Sequence, residues 1–119
     1  MTRINLVPPE ELHRLHLIAE YRELPRVFSL AREGVEIPET YTFGHGHVKF
    51  FYNKLWFITL RHRLLVLEME RRGYSPSSRH LLNLLRDKPA SLRGHFQPSQ
   101  ADIDLSRARI LSKPPGSPR

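Results

Sequence analysis

The stretch EELHRLHLIAEYRELPRVFSLARE, residues 10–33, decides how the chain is read. Leu12, Leu15, Ile18 and Ala19, then Val27, Phe28 and Ala31, recur at intervals that give a helix one apolar face. Pro8 and Pro9 precede the run, and Glu10 and Glu11 fall in its first turn. A fixed φ and acidic side chains near the positive end of the helix dipole both favour a start there. One helix over residues 10–33 is expected. Pro25 lies inside it, and proline lacks an amide hydrogen and crowds the preceding turn. A kink is therefore expected near Tyr21 to Leu24.

Working outward, residues 34–46 hold Pro38 and three glycines and read as a long loop. A second helix fits from residue 47 or 49 to 72, where Phe50, Phe51, Leu55, Ile58, Leu64, Leu65, Leu67 and Met69 supply a broad apolar face. Phe51, Leu55 and Ile58 are assigned to the core, and Gly73 stops the helix. A short third helix is expected over residues 75–87, ended by Pro89. Ser99 and Asp102 have capping-box spacing, which predicts a last helix over residues 99–111. No repeat and no strand pair is visible. The expected fold is all-α: a compact single domain of three to four helices, with a long loop between the first two. It spans residues 1–113, followed by a disordered Pro-rich tail, residues 114–119.

Composition narrows the function. At 119 residues the chain has room for one ordinary core. It holds no cysteine, which excludes disulfides, thiolate metal sites and cysteine nucleophiles. Neither an export signal nor a bilayer-spanning run is visible, so a cytoplasmic protein is expected. Nineteen Lys and Arg against twelve Asp and Glu give a formal charge of +7, a field that attracts polyanions. No helix has the apolar face that would suit a membrane surface, which favours nucleic acid over lipid as the partner.

Two constellations offer chemistry. With Met1 removed, Thr2 would present an α-amino group whose ordinary pKa, about 7.7–8.0, leaves a nucleophilic fraction near neutrality. Arg3 beside it would lower that value further. Second, His16, Glu20 and Glu23 line up on one helix face, and Arg22 and Arg26 form an adjoining basic ridge. Carboxylates framed by cations suit a site for a polyanion; the bland alternative is a solvated face stitched by ion pairs such as Glu23 with Arg26. His45 and His47 lack the spacing of a metal site, and none is expected. Tyr21, Tyr52 or Trp56 could present an edge to a ligand. The runs Arg61-His62-Arg63 and Arg71-Arg72 read as solvated ridges within reach of phosphates.

Residues 1–6 (MTRINL) joined to residues 19–28 (AEYRELPRVF) strongly resemble the pyrimidine-dimer DNA glycosylase family, which includes the ultraviolet-repair endonuclease V type of T-even phages. The likeness continues at residues 46–55 (GHVKFFYNKL) and, more loosely, at residues 72–74, 93–94 and 106–109. The resemblance implies an all-helical glycosylase with abasic-site lyase activity, acting as a monomer on damaged double-stranded DNA near the nucleoid, without metal or cofactor. It implies that the Thr2 amine attacks the sugar C1′ to form an imine, with Glu23 as the essential carboxylate. It further implies that Arg3, Arg22 and Arg26 grip phosphates, that His16 lies near the reactive sugar, and that Arg109 and Lys113 support DNA binding. The loop after the first helix is shorter than in the phage enzyme, and a Pro-rich end replaces that protein's aromatic tail. The alternative is a basic helical DNA-binding module without turnover.

Overall fold

The structure, a computed structural model, describes residues 4–42, 46–77 and 81–112. The helix expected over residues 10–33 is three pieces. Pro9–Glu11 forms a single 3-10 turn, because Leu12 returns to an extended conformation (φ −81°, ψ 135°). His13 then caps α1, Arg14–Glu23, its Nδ1 accepting from the Leu15 amide at 3.2 Å. Arg72 ties this turn to the end of the helix Leu55–Arg71 by donating to Pro9 O at 3.2 Å and Leu12 O at 2.8 Å. At Pro25 the kink is a full break. The Leu24 amide still bonds Glu20 O at 2.9 Å, whereas Val27 and Phe28 reach back only three residues, to Leu24 O and Pro25 O. The chain re-forms as α2, Arg26–Leu30.

A 3-10 turn at Lys49–Phe51 leads into α3, Leu55–Arg71, which packs along α1. Its buried stripe is Leu55, Ile58, His62, Leu65 and Met69, alternating three- and four-residue steps. Leu64 and Leu67, expected on the apolar face, are instead 50% and 47% exposed. Both lie on the side of the helix away from that stripe. Gly73 ends the helix as expected: at φ +92° it lets its own amide bond Glu70 O and the Tyr74 amide bond Met69 O, a double cap of the last carbonyls. At the other end, Gly94 O accepts from the first-turn amides of Trp56 and Phe57 at 3.1 and 3.3 Å. A Cβ on Gly94 would sit 2.5 Å from Asn53 O, so only glycine permits this approach.

Helix α4, Leu82–Arg86, is shorter than expected and anchors through Leu81 and Leu85. Lys88 ties the following loop to Ala31 O at 3.1 Å. Helix α5, Gln100–Ser112, carries the predicted capping box in full. The Asp102 amide donates to Ser99 Oγ at 3.1 Å, and the Ser99 amide to Asp102 Oδ2 at 3.0 Å. With α1 and α2 taken as one broken element, four helical elements surround a single core, and the described residues contain no strand. The radius of gyration, 13.8 Å, matches the roughly 13.5 Å of a compact domain this long. The all-α single domain is thus as expected; the proposed tail, residues 114–119, lies outside the described residues.

Candidate active site

Residues 4–7 run through the interior yet belong to no helix or sheet. Ile4 is fully buried and Asn5 nearly so, and a backbone placed there must find partners for its polar groups. Side chains supply them. The Ile4 amide donates to His47 Nε2 at 3.1 Å, and Ile4 O accepts from the Tyr41 hydroxyl at 3.3 Å. Burial pushes the Tyr41 pKa well above its ordinary value, so the hydroxyl keeps its proton to donate. The Asn5 amide donates to Glu20 Oε2, the Leu6 amide to Ser106 Oγ at 2.9 Å, and Val7 O accepts from Arg61. His47 places its Nδ1 2.6 Å from Thr42 O, which fixes the tautomer with a bare Nε2 facing Ile4.

On α1, the residues expected to share a face separate by function. Glu20 is fully buried and receives Arg61 through two bonds, Nε at 2.8 Å and a terminal nitrogen at 3.0 Å. It also accepts the Asn5 side-chain amide at 2.9 Å. All of its lone-pair directions are committed to structure. Glu20 is thus no part of a solvated face, and Arg61, 5% exposed, is no solvated ridge. One turn further on, at the last residue of α1, Glu23 is only partly buried, and Arg22 and Arg26 beside it are exposed. His16, one turn before Glu20, is buried. The break at Pro25 puts Arg26 at the start of a new helix, so the two arginines flank Glu23 from separate elements.

Several expectations change. His62 is fully buried and stacks on Tyr21 with ring centroids 5.2 Å apart, and Arg72 is a staple between α3 and the first turn. Only Arg63 and Arg71 of the two basic runs are exposed. Tyr21 and Tyr52 are buried, which leaves Trp56 as the partly open aromatic of the three proposed. Among the described residues no three His, Asp or Glu side chains are grouped to hold a metal ion, and no helix is long and apolar enough to cross a membrane. Arg109 meets the amino-terminal segment, donating to Asn5 Oδ1 at 3.0 Å. Thr2, Arg3 and Lys113 lie outside the described residues. Asn5 and Ser106 are structural residues to which the sequence assigned no role, and Arg61 is one it placed on a solvated ridge; the stripe at 58, 62 and 65 is the available signal for a buried polar stretch.

The sequence model of the family described as pyrimidine dimer DNA glycosylase matches residues 1–82. That span includes residues 4–7, α1 to α3, His16, Glu23, Arg22 and Arg26, and it ends before α5. The match covers 82 of 119 residues, well over half, and so establishes the family. With its carboxylate at the end of a broken helix and two exposed arginines within three residues of it, the chain belongs to the DNA-repair family of pyrimidine dimer DNA glycosylases.

Proposed function

We propose that the chain removes the base at a pyrimidine dimer and then cleaves the strand, through an imine on the amino group of Thr2. The observation that carries this is the pinning of Asn5, by its backbone amide and its side chain, to Glu20, one helical turn from Glu23. Two residues of extended chain span about 7 Å at most, so Thr2 is tethered close to Ile4. A carboxylate three residues on from Glu20 is about 4.5 Å further along the helix axis. Tethering of this kind turns the attack into an effectively unimolecular step.

With Met1 removed, the neutral amine attacks C1′, and the glycosidic electron pair leaves with the base, which takes up a proton. Opening of the sugar ring at O4′ gives the protonated imine. Its positive charge acidifies the C2′ hydrogen; loss of that proton expels the 3′ phosphate oxygen by β-elimination, and water releases the amine. Glu23, partly buried, stabilises the cation at C1′ and assists the proton transfers. His16 lies on the same helix near the sugar. Arg22 and Arg26, both exposed, hold phosphates on either side, with Arg3 and Lys113 in the same role. The chain acts as a monomer.

The test is borohydride reduction during reaction with two duplexes, one holding a pyrimidine dimer and one an abasic site. A covalent adduct through Thr2 on both is expected. Binding without adduct, in protein shown by mass spectrometry to lack Met1, would instead establish a non-catalytic DNA-binding module.

A further inference from the structure

We infer that α5 is the clamp that sets the amino-terminal segment for reaction, and that Arg109 acts through Asn5 as a positioning residue and does not grip phosphate. The inference rests on the amine chemistry proposed above.

Ser106 and Arg109 are three residues apart on α5 and so share a face. Ser106 is fully buried, and its hydroxyl oxygen accepts the Leu6 amide at 2.9 Å. Arg109 donates to Asn5 Oδ1 at 3.0 Å, while Asn5 Nδ2 donates to Glu20 Oε1 at 2.9 Å. Each end of the Asn5 amide is thus used. The acceptor end faces a guanidinium and the donor end a carboxylate, an arrangement that fixes the amide's orientation through the network. A buried asparagine held from both sides fixes the register of the backbone on which it sits. That backbone is three residues from the nucleophile. Misplacement of a reacting group by about 1 Å can cost about a hundredfold in rate. The two bonds from α5 come from outside the span that the family match covers, residues 1–82.

Positioning and phosphate binding predict different losses. Replacing a phosphate-gripping cation by a neutral residue weakens binding and lowers the salt slope by about one, leaving the rate at saturating DNA unchanged. Breaking a positioning hydrogen bond lowers that rate and leaves binding alone. The full chain is assayed on a duplex with one abasic site, measuring the dissociation constant against salt, the single-turnover rate and the yield of borohydride adduct, with thermal melts alongside. Arg109→Ala is expected to bind within about twofold of wild type with an unchanged salt slope, and to form the imine about 10- to 100-fold more slowly. Arg109→Gln removes the charge but keeps an N–H donor for Asn5, and is expected to recover most of the rate. Asn5→Ala, which also loses the bond to Glu20, should be at least as slow, and the double variant Asn5→Ala with Arg109→Ala no slower than Asn5→Ala alone, since the bond between the two residues is already broken there.

A lowered salt slope in Arg109→Gln, or additive losses in the double variant, overturns the inference while the wild-type adduct still stands. No adduct with wild type overturns the amine chemistry and this inference together. Should Arg109→Ala fail to fold, Arg109→Gln decides between the two roles.

Discussion

Glu20 and Glu23 are one turn apart on the same helix, in the same chemical form, and do opposite work. Glu20 has no exposed surface, and every one of its partners is part of the protein: Arg61 twice, the Asn5 side chain and the Asn5 amide. Glu23 stands where α1 stops, partly open, between two exposed arginines. A carboxylate that is fully satisfied internally has nothing left to offer a substrate, whereas one that is only partly buried at a helix end can still meet one. What separates them is Pro25, which ends the helical ladder just after Glu23. Candidate catalytic carboxylates are thus better sorted by their burial than by the face they share.

The largest effect that would break this comparison is at Glu20. Replacing it by Ala leaves Arg61 buried without its partner and should cost about 3–5 kcal/mol, measured as a fall in the urea midpoint. The amino-terminal segment should loosen with it, so cleavage falls as well. Glu23→Gln should show the reverse: cleavage down by about 10²–10⁴-fold in single-turnover assays, with the urea midpoint nearly unmoved. Equal loss of stability in both variants would erase the distinction.

How far the sequence foretells this depends on the range of each interaction. The capping box at Ser99 and the stop at Gly73 are local motifs, and both are legible. The break at Pro25 is legible as a kink. Leu12 misleads because its extended backbone is held from 60 residues away, by Arg72 at Leu12 O. Arg61 and His62 look like surface when charge is weighed above spacing, although the helical period places them between Ile58 and Leu65. The hydrogen bonds that pin residues 4–6 span up to 104 positions, and no local pattern announces them. Glu23 itself is legible through resemblance, its separation from Glu20 only through packing.

Smaller effects sharpen the contrast. Arg22→Ala and Arg26→Ala should each weaken DNA binding and lower the slope of log affinity against log salt by about one, read from fluorescence anisotropy at several salt concentrations. Stability should hold in both, as their side chains are exposed. The smallest effect belongs to a third carboxylate, Glu68, whose pKa is held down to about 2 by hydrogen bonds from Arg71 first and then Arg72. A depressed carboxylate stabilises the fold above its ordinary pKa of 4.5 and loses that contribution as pH falls towards 2. Thermal melts should therefore fall across that window in wild type, and fall less steeply in Glu68→Gln. Because Arg71 is 66% exposed, solvent screening keeps the difference small.

The sheetless segment at residues 4–7 also orders events in time. A chain is made from its amino end, so this segment emerges about a hundred residues ahead of Ser106 and Arg109, which hold it. Until α5 exists, the buried amides of this segment have no complete set of partners, and closing so long a loop comes late in assembly. Residues 4–7 are therefore set in place only once α5 has been made.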